Sequence, residues 1–212
     1  MKAYQLIIKR FLDIVLSLSA IILFAPLMLL IALLIKLDSK GPVIFRQMRV
    51  GKDGKIFVCY KFRTMYVNAP DIRNPDGSTF NAADDPRVTR VGRFLRKTTL
   101  DELPQFFNVL KGDMSIVGPR PDLPDQIQFY SERHKKRLLV KPGMTGWAWI
   151  HGRNSIPWEL RRELDVEYVE NYSLWLDFQI LLRTIPMVLL AKGVYASPET
   201  IQHCQESPDA PS

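Results

Sequence analysis

The chain has 212 residues, 47% hydrophobic and 24% charged, with 29 Lys and Arg against 22 Asp and Glu. That length and apolar content exclude a disordered chain and suit one domain, or one domain with a small appendage. Two cysteines, Cys59 and Cys204, 145 residues apart and with only 3 His in the chain, exclude a disulfide scaffold and give no zinc spacing; reduced thiols in a cytosolic context are expected.

The net charge of +7 is unevenly spread. Residues 1–66 hold 11 basic and 3 acidic side chains, while the remaining 146 carry a net charge of −1. The basic excess therefore flanks one hydrophobic segment, which points to a membrane surface and away from nucleic acid; each such cation gains about 1 kcal/mol from anionic lipid.

That segment runs from Ile14 to Ile35 without a charge. At ~1.5 Å per residue an unbroken helix of this length crosses a hydrocarbon layer of ~30 Å, and it is too long for a signal-peptide core. Two features favour a kinked hairpin that dips in and returns over a single span. Pro26 sits mid-segment, where it removes a backbone donor. Basic residues flank both ends: Lys2, Lys9 and Arg10 before, Lys36, Lys40, Arg46 and Arg49 after, so both ends prefer the cytoplasm. Asp13 reads as an anchor at membrane-surface depth, within reach of Lys9 or Arg10 on the same helix.

Residues 43–66 alternate apolar and polar around a turn at Asp53-Gly54, the pattern of a short β-hairpin. Residues 67–84 are a loop rich in Asn, Asp, Gly and Pro. A helix is expected to open at Asp85-Pro86, with Arg87, Arg90, Arg93 and Arg96 along one face, either solvated or on lipid phosphate. The next is expected to start near Asp101: Thr99 and Glu102 have capping-box spacing, but Pro104 would then lie too deep. Rigid Gly/Pro loops follow at 111–122 and 141–147, then a charged amphipathic helix over 158–171 and an apolar one over 174–191 lying in the interface. The tail after Ser197 is polar and Pro-rich, hence expected to be disordered.

Chemistry concentrates in few places. Asp101-Glu102 is an adjacent carboxylate pair able to divide labour, one as nucleophile or metal ligand and the other as base. Arg120 lies between two prolines, which stiffen the loop presenting its planar donor to phosphate; the bland alternative is a salt bridge to Asp113 or Asp122. Arg153 has the same two readings. Lys61 and Arg63 suit phosphate or lipid headgroups. No Walker loop and no GxGxxG occurs. These patterns reach a cytosolic-face membrane enzyme or binder that handles phosphates.

Taken together, the motifs resemble the membrane-monotopic phosphoglycosyl transferases, the bacterial sugar transferase family. The matching stretches are Lys9-Arg10-Phe-Leu-Asp13, Gly41-Pro-Val-Ile-Phe-Arg-Gln47, Tyr60-Lys-Phe-Arg-Thr-Met65, Thr89-Arg-Val-Gly-Arg93, Leu100-Asp-Glu-Leu-Pro-Gln105, Asn108-Val-Leu-Lys-Gly-Asp-Met-Ser115, Gly118-Pro-Arg-Pro121, Lys141-Pro-Gly-Met-Thr-Gly-Trp147 and Gly152-Arg-Asn154. They cover roughly residues 5–195.

The resemblance implies transfer of a sugar 1-phosphate from a UDP-sugar to undecaprenyl phosphate, giving UMP, with Mg²⁺ as cofactor. It makes Asp101 the nucleophile and metal neighbour, and Glu102 its partner in the second displacement or in holding metal and nucleophile. It also places Arg120 near phosphate, matches Arg153 to a later arginine of the family and puts Lys61 in its basic strand motif; with Arg63, read from the strand alone, these are the candidate phosphate-binding residues. The expected location is the bacterial inner membrane, with the catalytic domain on the cytoplasmic face against phospholipid; a homodimer is left open. Some small members break the membrane helix with Ser-Pro; here Ala25-Pro26 lacks the hydroxyl, leaving Ser17 or Ser19 to satisfy the freed carbonyl. The chain reads as the minimal catalytic form, without the N-terminal helices of larger relatives. The expected fold is α+β: a kinked re-entrant helix over 1–38, a small domain with a β-hairpin and interfacial amphipathic helices over 39–196, and a tail over 197–212. A non-catalytic membrane scaffold is the rival reading.

Overall fold

The computed structural model describes residues 3–74 and 77–196; Lys2, Cys204 and the tail expected to be disordered lie outside them. One helix, α1 (Ala3–Asp38), spans 36 residues and includes Pro26 without interruption. Its most apolar window averages 2.9 in hydropathy, yet only 11% of that window is buried. A core helix of a soluble domain would be covered, so this surface requires an apolar solvent.

The helix is anchored to the rest of the chain at both ends. Near its start, Arg10 donates to the carbonyls of Val109 and Leu110 at 2.6 and 2.7 Å, and Lys9 pairs with Asp177 at 2.7 Å. Asp13, 5% exposed, accepts from the Ser115 hydroxyl at 3.1 Å and the Ile116 amide at 3.0 Å. The expected pairing of Asp13 with Lys9 or Arg10 is thus replaced: all three side chains turn to the domain, whose groups are held at bonding distance by the fold. Ser17 is buried with its hydroxyl unpartnered among the described residues, so it does not satisfy a carbonyl freed by Pro26. At the far end, Ile31 and Ile35 pack with Phe62, Leu95 and Leu103, each burial contributing about 1.5–3 kcal/mol.

Strands β1 (Ile44–Val50) and β2 (Ile56–Phe62) form the expected antiparallel hairpin, Ile44 opposite Phe62. Its turn passes through Asp53 and Gly54 with φ of 57° and 74°, left-handed values that this residue pair tolerates. Helix α2 (Arg90–Thr98) starts later than expected, because the Thr89 hydroxyl accepts from the Gly92 amide and caps it. The arginine stripe is therefore broken. Arg87 lies before the helix, buried on Asp85 at 2.7 Å; Arg96 turns inward to the Thr64 hydroxyl; Arg90 and Arg93 stay exposed. Gly92 has a packing reason: a Cβ there would meet the Thr64 carbonyl at 2.0 Å.

After α2 the chain makes one 3₁₀ turn, Leu100–Glu102, and only then forms α3 (Gln105–Lys111) with Pro104 as its N-cap. The start expected near Asp101 is shifted because Thr99 adopts a left-handed φ of 61° and turns the chain before the proline. Strands β3 (Ser115–Val117) and β4 (Gly143–Thr145) pair in parallel. A short α4 (Trp147–Ile150), α5 (Trp158–Glu170) and α6 (Leu174–Leu189) complete the domain. Val117, Val140, Tyr168 and Ile180 form a second core. On α6, Trp175, Phe178, Leu182, Ile185 and Leu189 are exposed at helical spacing, an apolar face left uncovered by the described residues.

Candidate active site

Four segments converge on Asp101 and Glu102, both under 10% exposed. The 3₁₀ turn carries the two carboxylates, and α3 fixes it to the hairpin through Asn108. The Asn108 side chain accepts from the Tyr60 amide at 2.9 Å and donates to the Val58 carbonyl at 2.6 Å, completing the ladder of β2 at its free edge. That clamp sets Lys61 beside the turn. Lys61 Nζ lies 2.7 Å from Glu102 Oε1, and Arg120 Nη2 approaches the same oxygen at 3.2 Å.

Arg120 comes from the loop after β3, held between Pro119 and Pro121 as the sequence implied; neither Asp113 nor Asp122 is its partner. Asp122 is taken by Arg137 and Asp113 by Lys111. Arg153 follows α4 at a left-handed φ of 54°. Its guanidinium stacks 4.0 Å over the Trp149 ring and donates to the Thr99 hydroxyl at 3.1 Å, which aims it at the turn.

Arg63 does not join this group. Its three donor nitrogens bond the carbonyls of Pro42, Lys40 and Ser39 at 2.6–2.9 Å, stitching the exit of α1 to β2. Three of its five N–H donors are spent on backbone carbonyls and the residue is 5% exposed, which leaves a phosphate little access.

The two carboxylates are electrostatically unlike. Burial pushes Glu102 up, but Lys61, Arg120 and Arg153 overcome it and hold its carboxyl well below the usual range. Burial raises Asp101, and Lys61, Arg96 and Arg120 pull it back only in part. Its carboxylate takes part in no ion pair or hydrogen bond among the described residues. Glu102 is therefore a fixed, fully ionised group inside a cationic ring, while Asp101 is the open carboxylate. Lys61, Arg96, Arg120 and Arg153 outnumber the two acids, so the site is set to receive further negative charge. Burial lowers Arg153 to about 10, still cationic at neutral pH.

A cleft behind Arg120 and Arg153, lined by Trp149 and Trp158, holds about 30 Å³. That is water-sized. No cluster of three metal-ligating side chains occurs among the described residues. A magnesium ion suits this donor set nonetheless, since it binds commonly through one or two carboxylates with substrate phosphates and water completing the shell.

Reading the sequence for charged motifs missed Arg96 as a neighbour of Asp101 and Asn108 as the clamp. Arg96 was assigned to a surface stripe. Asn108 did carry a signal: a lone amide inside Phe106-Phe107-Asn108-Val109-Leu110 is costly to bury without partners.

The sequence pattern of the bacterial sugar transferases matches residues 4–191. Among similar curated proteins is the undecaprenyl-phosphate galactose phosphotransferase of Salmonella typhimurium, 44% identical over 199 residues, which are 89% of this chain and 42% of that protein. The UDP-N-acetylgalactosamine-undecaprenyl-phosphate N-acetylgalactosaminephosphotransferase of Aeromonas hydrophila is 47% identical, over 88% of this chain and 44% of its own length. The exopolysaccharide production protein ExoY of Rhizobium meliloti is 41% identical, over 88% of both chains. The chain thus spans less than half of the first two relatives and most of the third.

Proposed function

The chain belongs to the bacterial sugar transferase family, and from that premise we propose that it moves a sugar 1-phosphate from a UDP-sugar onto undecaprenyl phosphate. The observation that carries this reading is the open, buried carboxylate of Asp101 beside a Glu102 held ionised by Lys61 and Arg120. Galactose and N-acetylgalactosamine donors appear in the names of relatives; this chain's own sugar is left to experiment.

In the proposed reaction a carboxylate oxygen of Asp101 attacks the β-phosphorus of the donor. The bond from that phosphorus to the bridging oxygen breaks, and UMP leaves with the electron pair. A phosphate oxygen of undecaprenyl phosphate then attacks the same phosphorus, giving the lipid diphosphate sugar and returning Asp101 as a carboxylate. An anionic nucleophile approaching an anionic diphosphate faces repulsion, which Arg120 and Arg153 offset by donating to phosphate oxygens. Glu102, fully ionised, orients Lys61 and Arg120 toward those oxygens. Asp101 and the substrate's phosphates would hold Mg²⁺, which would supply further charge neutralisation.

The reading includes a re-entrant α1 with the domain on the cytoplasmic face of the inner membrane. It is supported by the contacts at the two ends: Arg10 and Asp13 bond one part of the domain, while Ile35 and Asp38 pack on another. A helix whose two ends dock on one domain does not put that domain on one side and its start on the other. The bare α6 stripe would lie in the same headgroup layer, near the lipid phosphate.

The test is UMP release from a panel of UDP-sugars by the purified, membrane-inserted protein. Release from one sugar that depends on undecaprenyl phosphate and Mg²⁺ supports the transferase. Silence across the panel favours the scaffold.

A further inference from the structure

The Arg120 side chain is 36% exposed and meets Glu102 at only 3.2 Å, so its aim depends on its backbone. The loop 118–122 is pinned from outside. The Gly118 amide donates to Thr145, the Pro119 carbonyl accepts from Gly143, and the Asp122 carbonyl accepts from Val50, at 2.8–3.0 Å. Arg49 donates to the Pro121 carbonyl at 2.9 Å. The carbonyl of Arg120 itself is gripped by one side chain, Arg137 Nη2, at 2.9 Å. With prolines on either side, neither neighbour offers an amide donor that could substitute.

Arg137 is 5% exposed and its other donors are engaged. Nη1 reaches Asp122 at 2.6 Å and the Tyr130 hydroxyl; Nε and Nη2 reach Asp165 at 3.1 and 2.7 Å. Desolvating an arginine and two carboxylates together is expensive, and well-packed apolar groups often replace such hubs with no loss of stability. Stability alone is a poor account of it. What apolar groups cannot supply is a rigid planar fork that ties Asp122, Asp165 and the Arg120 carbonyl into one geometry.

We propose that Arg137 is the positioning residue for Arg120, fixing the backbone of the 118–122 loop so that the Arg120 guanidinium reaches Glu102 and the phosphates. Its kinetic consequence rests on the transfer reading above; its effect on the loop does not.

The test uses Arg137→Lys, which keeps a cation between the carboxylates but loses the fork, alone and combined with Arg120→Ala. Three quantities are measured in the full, membrane-inserted chain: melting temperature, amide hydrogen exchange over 118–122, and kcat/KM for the donor. The expected result is faster exchange confined to that loop and a fall in kcat/KM of about tenfold to a hundredfold. In the Arg120→Ala background the same change costs less than about twofold, because the group it positions is gone. An equal cost in both backgrounds, or unchanged exchange, overturns the proposal. If Arg137→Lys does not fold, Tyr130→Phe, which removes one group that holds the fork and no hydrogen bond to the loop backbone, runs the same cycle with the same expectations. If the wild type releases no UMP from any UDP-sugar, the transfer reading falls while the exchange measurement still decides the role of Arg137.

Discussion

Lys61 Nζ and Glu102 Oε1 lie 2.7 Å apart, although 41 positions separate them in the chain, and their side chains are only 18% and 8% exposed. The pair joins the hairpin to the turn that carries Asp101 and Glu102. It also supplies the first cation that offsets the burial of Asp101.

Replacing Lys61 with Met removes that cation. Burial already raises the Asp101 pKa and Lys61 lowers it, so its loss raises it further. Asp101 as the proposed nucleophile must be ionised, and the acid limb of kcat/KM is therefore expected to move to higher pH. At neutral pH the rate falls by about tenfold or more; the profile between pH 5 and 9 measures it, and an acid limb that stays in place removes Lys61 from the control of Asp101.

Arg63→Ala separates two readings of one residue. A phosphate ligand would change KM for the donor. Three bonds to the carbonyls of Ser39, Lys40 and Pro42 make it a structural tie, whose loss costs about 1–3 kcal/mol through the hydrogen bonds given up. The expected outcome is a clear drop in melting temperature with KM little changed in the folded fraction.

What the sequence disclosed and what it withheld follow from locality. The hairpin was legible because Asp53-Gly54 and period-two alternation are local signals, and α5 and α6 because one is a continuous amphipathic run and the other a continuous apolar one. The start of α3 was not, since a left-handed Thr99 redirects the chain between two helical stretches. Asp101 and Glu102 stood out as an acidic pair and Arg120 and Arg153 as arginines in stiff Gly/Pro loops, and the resemblance added their roles, whereas the electrostatic difference between the carboxylates depends on which one Lys61 reaches. Arg63 and Arg96 were misread because their partners, three carbonyls and a threonine hydroxyl, carry no charge pattern in the chain. Arg87 was misread because Asp85, two residues away, captures it.

The re-entrant reading makes both ends of α1 cytoplasmic. Cysteines introduced singly at Tyr4 and Lys40, both exposed, in a Cys204→Ser background leave only Cys59, which is buried and poorly reactive. An impermeant maleimide applied to right-side-out spheroplasts should label neither, and applied to inverted vesicles both. Labelling of Tyr4→Cys in the spheroplasts makes α1 a span.

The exposed α6 face, Trp175, Phe178, Leu182, Ile185 and Leu189, is the apolar stripe that the proposed reading lays in the headgroup layer. Trp175→Ala with Leu182→Ser is expected to raise KM for the polyprenyl acceptor by roughly threefold to tenfold. KM for the soluble donor should stay the same, because the stripe lies outside the Asp101 site. Equal effects on both substrates would mean that α6 acts through the fold.

The covalent step has the most direct consequence. Asp101→Asn conserves shape but removes the nucleophilic oxygen, so turnover should fall by about a thousandfold or more; activity within tenfold of wild type excludes an aspartyl intermediate. In the wild type, donor supplied without lipid should leave the protein heavier by one phosphosugar in intact-mass measurement, and Asp101→Asn should show no gain. Glu102→Gln then distinguishes its two roles. If Glu102 activates the acceptor phosphate, the first step survives and the adduct accumulates even when lipid is present. If its work is to hold Lys61 and Arg120 against the diphosphate, adduct formation itself slows. The geometry favours the second outcome, since Glu102 Oε1 is already occupied by both cations and is held too acidic to take a proton at neutral pH.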